Sequence, residues 1–189
     1  QVHKDLRRCR GTFMNKIEFK KLNKNDMHLF KEWAKQPHVK NTWFQEGYET
    51  LDKYESKIAG NGVDYPFIIF FDNKPIGYIQ ASDLYAYRTL CPTLKGVFTH
   101  EDSGTFCFDL FIGEEDYLNK GYGTEIVKSF VDKLLTEFKT KKILIDPACS
   151  NKRAIRCYEK AGFKVMRKQY DGTTECCIME FMGNNGDYL

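Results

Sequence analysis

The sequence lacks the features that would assign it to a membrane, metal-binding or disulfide-rich class. No apolar run approaches the ~20 residues of a membrane-spanning helix, so we expect no membrane partner. The seven cysteines are an odd number and include no Cys-x-x-Cys pair. This disfavours a disulfide framework or a zinc site and favours a reducing cytoplasm. His28, His38 and His100 have no metal-ligand spacing, so no metal is predicted.

The first thirteen residues are basic, but no apolar stretch follows them, which distinguishes them from a secretory signal. Because Met14 looks like a natural start, we expect residues 1–13 to be an added or upstream extension and residues 14–189 to form a single domain. Residues 1–13 carry the whole formal net charge of +3, and the remainder sums to zero. The basic pI therefore gives little reason to expect a nucleic-acid partner.

What the sequence does contain is an alternation of strand and helix patterns that is typical of one mixed α/β domain. Strands are predicted at 17–22, 66–71, 76–81, 105–112, 143–145, 163–170 and 174–181. Helices are predicted after a cap at Asn25 and at 50–59, 121–138 and 151–162. Residues 84–104 show no period and contain Pro92, so a long loop with a functional role is predicted there.

The strand at 105–112 alternates between two faces. One face is apolar and the other carries Cys107, Asp109 and Phe111. Asp146 directly follows the predicted buried strand at 143–145. Ligands gather at the carboxyl ends of parallel strands in open α/β sheets, so both aspartates are candidates for a site.

A glycine-containing segment, Leu-Asn-Lys-Gly-Tyr-Gly-Thr at 118–124, lies between a strand and a long helix. Gly121 and Gly123 let backbone N–H groups approach a ligand, and the helix N-terminus suits a pyrophosphate. The segment is neither G-x-G-x-x-G nor a P-loop, because Ile126 fills the third glycine position and no G-K-[ST] follows. A simple strand-to-helix turn explains the segment equally well.

The segment at 146–163 reads Asp-Pro-Ala-Cys-Ser-Asn-Lys-Arg-Ala-Ile-Arg-Cys-Tyr-Glu-Lys-Ala-Gly-Phe. Its pattern N-x-x-A-x-x-x-Y-x-x-x-G-F resembles the last acetyl-CoA-binding segment of the GNAT superfamily, and the glycine segment resembles that superfamily's pyrophosphate segment. The stretches 75–78, 108–113, 120–124, 145–147 and 153–163 look like those of aminoglycoside 6'-N-acetyltransferases. The similarity spans roughly residues 17–182 and is poorest at 84–104. Leu118 departs from the Gln or Arg of many superfamily members.

The resemblance implies a mixed α/β GNAT fold, whose central sheet is splayed at its middle and flanked by helices. It implies acetyl-CoA as cosubstrate, with no metal. Backbone N–H groups near Ile112 would hold the thioester oxygen. The implied coenzyme-binding residues are Phe111, Ile112, Lys120, Gly121, Tyr122, Gly123, Thr124, Asn151, Ala154 and Tyr158.

The resemblance also implies roles in catalysis and substrate binding. Tyr158 would donate a proton to the leaving thiolate, and Asp109 would act as base toward the amine. Asp109, Asp146 and Trp43 would contact the substrate. Each residue also has a purely structural interpretation. Tyr158 and Trp43 could be packing residues, Asp109 could lie on a solvated strand face, and Asp146 could be a turn cap.

The predicted function is direct acetyl transfer from acetyl-CoA to an amine of a small polycation, with the 6'-amine of an aminoglycoside preferred. The predicted enzyme is a cytoplasmic resistance protein and a monomer or homodimer. Alternatives are acetylation of polyamines, a siderophore precursor or protein amines, or a non-catalytic acyl-CoA-binding module. The carboxylates Asp109 and Asp146 favour a polycation, and Asp109 together with Tyr158 disfavours the non-catalytic alternative.

Overall fold

The computed structural model describes residues 16–44, 51–90 and 96–183, without the side chains of residues 51 and 52. Its seven strands form one open sheet in the order β1-β2-β3-β4-β5-β7-β6. Neighbouring strands are antiparallel except β4 and β5, which are parallel. The strands are β1 (Ile17–Lys21), β2 (Asp64–Phe71), β3 (Lys74–Asp83), β4 (Thr105–Ile112), β5 (Lys142–Ile145), β6 (Phe163–Tyr170) and β7 (Glu175–Phe181). The predicted mixed α/β architecture is confirmed.

Helices cover both faces of this sheet. They are α1 (Met27–Trp33), α2 (Pro37–Lys40), α3 (Leu51–Ala59), α4 (Leu84–Leu90), α5 (Tyr122–Glu137) and α6 (Lys152–Lys160). On one face α5 and α6 pack against strand residues such as Phe108. On the other face α1, α2 and α3 pack against Tyr78 and Phe111. None of the helices in the described ranges is long and apolar enough to cross a membrane.

The sheet opens between β4 and β5. β4 pairs with β3 from Phe106 to Ile112, but it pairs with β5 only from Thr105 to Cys107. The remaining residues of β4 therefore present one edge to the gap between the two strands. This is the predicted splay at the middle of the sheet.

Two details of the predicted elements are wrong. The first helical segment is capped by Asn23, whose side chain accepts the N–H of Asn25, and not by Asn25 itself. Asn23 forms a reciprocal capping box with Asp26, which satisfies two backbone donors at once and outweighs the later cap.

The segment 84–104 is also not the continuous loop that was predicted, because α4 forms at its start. Asp83 accepts the N–H groups of Tyr85 and Ala86 and so caps this helix. Leu84, Val97 and Phe98 are buried against Leu144 and Ile178 on the α1–α3 face. Tertiary packing thus stabilises a helix too short to show a clear period in the sequence.

Cys149 and Cys177 form a disulfide, which contradicts the expectation drawn from the cysteine pattern. Their Cα atoms are 5.2 Å apart, within the usual range for a disulfide. The pair joins the loop after β5 to β7, and the two residues are 28 positions apart in the chain. Strand pairing brings them together, and no local sequence motif signals that. The expected cytoplasmic location stays a prediction.

Candidate active site

The predicted pyrophosphate segment forms the N-terminus of α5. Gly121 has a φ of 87°, in the left-handed region that glycine adopts without strain. Within the described part of the chain, no side chain caps this end of α5. Its first N–H groups and the positive end of the helix dipole are therefore available to an anion. Lys120 is exposed beside them, whereas the Tyr122 ring packs 4.6 Å from that of Phe71, between ring centroids.

The second predicted motif lies directly beside the first. Asn151 lies at the predicted start of α6 and caps this helix by accepting the N–H of Ala154 at 3.1 Å. Thr124 Oγ1 lies 3.6 Å from Cys157 Sγ, and a Cβ added at Gly123 would lie 3.4 Å from the same sulfur. The structure therefore brings the N-terminus of α5 against α6, so the two motifs border one site.

The edge of β4 that faces the gap can be identified from the hydrogen bonds at its end. The Gly113 N–H donates to Ile76 O of β3 at 2.8 Å. Because backbone groups alternate in direction along an antiparallel strand, those of Phe111 also point to β3 and those of Leu110 and Ile112 point into the gap. The Phe111 side chain is buried among aromatic rings. The gap-facing donors are therefore those of Leu110 and Ile112.

Asp109 lies on β4 and Asp146 directly follows β5, close to where the two strands separate. Each aspartate comes two residues after the last pair of the two strands, Cys107 with Leu144, and the charge of Asp109 acts on Asp146. Burial first, and then the charges of Asp109 and Asp171, together raise the pKa of Asp146 to about 7. Two carboxylates so placed disfavour each other's ionisation and favour a bound cation.

Sequence reasoning missed Asp171, which lies in the β6–β7 turn. Its Oδ1 accepts the N–H groups of Thr173 and Thr174 at 2.6 and 2.7 Å. These hydrogen bonds lower the pKa of Asp171, so it is ionised at neutral pH. Its charge acts on Asp146, which makes it a third carboxylate of the cluster. In the sequence, Asp171 and Gly172 indicate only a turn between two strands. The order of the strands in the sheet brings the charge of Asp171 within range of Asp146.

Tyr158 lies on α6 and faces the same gap. Its ring centroid is 6.1 Å from that of Phe108 and 5.8 Å from that of Phe163. Burial, followed by the negative charge of Asp109, raises the pKa of Tyr158 well above its usual value. The hydroxyl therefore remains protonated near neutral pH, which is the form a general acid requires. The same ring contacts also fit the alternative of a core tyrosine.

Aromatic side chains border the site on the α1–α3 face. Trp43 is partly buried and donates its Nε1–H to the Tyr54 hydroxyl at 2.7 Å. Its ring lies 5.0 Å from Phe111 and 5.7 Å from Tyr78, between centroids. Gln80, which sequence reasoning also missed, pairs with Asp109 in register and accepts hydrogen bonds from Tyr78 and Lys57. Trp43 thus packs against these aromatic rings, and part of its surface remains exposed to a ligand.

Residues 23–170 match the family model described as the Acetyltransferase (GNAT) domain. The chain belongs to the GNAT acetyltransferase family. The predicted family and fold are therefore confirmed, and this GNAT protein is an acetyl-CoA-dependent N-acetyltransferase. No three His, Cys, Asp or Glu side chains in the described ranges are grouped as metal ligands would be. The individual roles assigned to the site residues stay predictions.

Relatives of this GNAT protein resemble it over between about half and most of its length. An aminoglycoside N(6')-acetyltransferase type 1 of Klebsiella pneumoniae is 31% identical over 154 residues, covering 78% of this chain and 74% of the relative. A spermine/spermidine N(1)-acetyltransferase of Bacillus subtilis is 30% identical over 95 residues, covering 48% and 59%. The crystal structure of aminoglycoside acetyltransferase AAC(6')-Ib with coenzyme A and kanamycin has a TM-score of 0.74 at 26% identity, covering 87% of this chain and 94% of the other.

Proposed function

We propose that this protein transfers the acetyl group of acetyl-CoA to the 6'-amine of aminoglycosides. The observation that carries the proposal is the acidic group made by Asp109 and Asp146 where β4 and β5 separate, to which Asp171 adds its charge from the β6–β7 turn. Carboxylates in this arrangement attract ammonium groups, and an aminoglycoside has several. The relative from K. pneumoniae and the AAC(6')-Ib structure with kanamycin support the same substrate class.

The coenzyme is proposed to bind along the opposite side of the gap. The N–H groups at the start of α5 would take the pyrophosphate, with Gly121 and Gly123 allowing the close approach. The pantetheine arm would lie against the gap-facing edge of β4. The Ile112 N–H group would then be directed at the thioester oxygen, where negative charge develops during attack.

Catalysis requires that the substrate ammonium lose a proton before it attacks the thioester carbon. The charge of Asp109 contributes to the pKa of about 7 at Asp146, so this pair of carboxylates includes a proton acceptor close to neutral pH. We propose Asp109 as the base, with Asp146 holding the ammonium. Tyr158, which stays protonated, would donate its proton to the departing thiolate. Holding both substrates in the gap supplies much of the remaining rate enhancement.

A turnover assay with a panel of amines tests the proposal. The informative set contains aminoglycosides with a 6'-amine, such as kanamycin and tobramycin, matched analogues with a 6'-hydroxyl, and spermidine. We expect kcat/KM to be highest for the 6'-amino compounds. Turnover of spermidine equal to or above every 6'-amino compound would reject aminoglycosides as the substrate. A lack of turnover with every amine would favour a non-catalytic coenzyme-binding module.

A further inference from the structure

His38 contacts the end of β4 from a distant part of the chain. Its Nε2 lies 2.9 Å from Ile112 O, although the two residues are 74 positions apart. A carbonyl oxygen only accepts hydrogen bonds, so Nε2 must carry the hydrogen in this contact. We infer that His38 is a positioning residue for acetyl transfer, which acts by fixing the Ile112 carbonyl. This inference rests on the proposed function.

The contact fixes one peptide unit from both sides. Ile112 C=O and Gly113 N–H belong to the same planar peptide group. The carbonyl is held by His38 on the gap side, and the N–H is held by Ile76 O on the β3 side at 2.8 Å. A peptide plane anchored at both edges cannot rotate without breaking a hydrogen bond. The Ile112 N–H, which faces the gap, belongs to the preceding peptide group. The anchored plane that follows limits rotation of the backbone at Ile112 and so restrains the direction of this N–H.

The residues around this peptide are also immobilised. Gly113 lies against the Trp33 indole, where any side chain on Gly113 would overlap the ring. Trp33 Nε1 donates to Glu114 Oε1 at 3.0 Å, and Lys74 pairs with the same carboxylate at 3.1 Å. These contacts approach from α1 and from the β2–β3 turn. His38 supplies the contact on the gap side, where the thioester is proposed to lie.

His38 is itself held in place. It lies in α2, which begins with Pro37 and is anchored by the fully buried Val39. The Thr42 hydroxyl donates to His38 O at 2.6 Å. The imidazole thus projects from a packed element, which suits a group that must hold another in a narrow range of directions.

The test compares two substitutions that differ only in whether a donor remains. In His38→Leu the Ile112 carbonyl loses its partner, whereas in His38→Gln the amide N–H can replace Nε2. We expect His38→Leu to lower kcat by ~10- to 100-fold, because small misplacements of reacting groups cost up to about 10²-fold. His38→Gln should recover most of that loss. The Kd of coenzyme A and the KM of the amine should change by less than about threefold in both variants.

A matched control is His28→Leu. His28 is exposed on α1 and contacts Asn25 O within its own turn, so this variant should keep the wild-type kcat. If His38 only stabilises the fold, His38→Leu lowers the melting temperature and leaves kcat unchanged, and the inference is overturned. A loss of kcat in His38→Gln as large as in His38→Leu also overturns it.

An NMR measurement separates this inference from the proposed function. The 15N shifts of the imidazole report which ring nitrogen carries hydrogen, independently of any amine substrate. We expect a protonated Nε2 in the free enzyme. A neutral ring with hydrogen only on Nδ1 would overturn the inference, whatever the substrate panel shows. Conversely, if no amine is acetylated while Nε2 is protonated and coenzyme A binds, the proposed function has failed and the positioning role fails with it.

Discussion

The charge of Asp109 raises the pKa of Asp146, which follows β5 just beyond the last residue pair that joins β4 and β5. Burial disfavours the charged form of Asp146, and the negative charge of Asp109 disfavours it further. The protein alone therefore stabilises the Asp146 carboxylate poorly. A bound ammonium group removes the conflict, so substrate binding and the ionisation of Asp146 are coupled.

The first prediction concerns the pH dependence of turnover. As the pH rises through about 7, Asp146 ionises and the affinity for a polycation increases. We therefore expect kcat/KM of the wild type to rise across this range. Asp146→Asn should remove most of the rise and lower kcat/KM at pH 8 by about one to two decades, since a hydrogen bond to a charged group contributes ~1.5–3 kcal/mol. Asp132→Asn, on the exposed side of α5, is the control. A rise of the same size in Asp146→Asn would contradict the assignment.

The second prediction is that Asp146 lowers the stability of the free protein at high pH. Its folded-state pKa of about 7 lies above the unfolded value of 3.8, so the folded state holds a proton that the unfolded state releases between these values. The contribution of this proton to the free energy of unfolding is fully present below pH ~4 and is lost as the pH rises through about 7. Asp146→Asn should therefore melt at a higher temperature than the wild type at pH 8, with the difference closing near pH 4. A lower melting temperature at pH 8 contradicts this expectation.

The third prediction concerns the α5 N-terminus. Gly123→Val should weaken acetyl-CoA binding by at least about tenfold, because its side chain would intrude between α5 and the pyrophosphate. Gly123→Ala should have a smaller effect, since its Cβ would make an ordinary contact with Cys157 Sγ at 3.4 Å. Titration calorimetry measures both affinities, and circular dichroism checks that the variants fold. Unchanged affinity in folded Gly123→Val would show that the pyrophosphate binds elsewhere.

The fourth prediction concerns Tyr158. Tyr158→Phe keeps the ring contacts with Phe108 and Phe163 but removes the acidic hydroxyl. We expect kcat to fall by ~10²-fold, the lower end of what a positioned acid contributes, because a thiol is a fair leaving group. The Kd of acetyl-CoA should be nearly unchanged. If kcat at saturating substrates equals that of the wild type, Tyr158 is a packing residue only.

The fifth prediction concerns the disulfide between Cys149 and Cys177. A cross-link that closes a loop of this length, 28 positions, stabilises a protein by ~3–4 kcal/mol in the chain-entropy model. Reductant should therefore lower the unfolding free energy of the wild type but not that of the Cys149→Ala/Cys177→Ala double variant. Thiol titration of denatured, unreduced protein is the direct measurement. Detection of all seven cysteines as free thiols would exclude the disulfide.

The sequence was sufficient for the family and for the order of the seven strands, and it predicts the coenzyme segment. Helix α5 shows a continuous apolar stripe, and the strands alternate or are wholly apolar, so burial follows from the pattern. The glycine segment and the Asn151 cap are each made by residues that are neighbours in the chain, so the chemistry of each motif is local. A helix N-terminus presents free N–H groups wherever the helix lies in the fold, which is why its ligand class could be predicted.

Tertiary structure alone decided the contacts between distant residues. Helix α4 depends on packing of Leu84 against the sheet, and the Cys149–Cys177 disulfide depends on strand order. The pKa of Asp146 and the contact of His38 with Ile112 O depend on which strands and helices are neighbours. A one-dimensional pattern records which face a residue occupies but not which residue of another element lies opposite. The segments predicted to bind the coenzyme are therefore visible in the sequence, while the acidic cluster and the anchored peptide at the end of β4 are products of the fold.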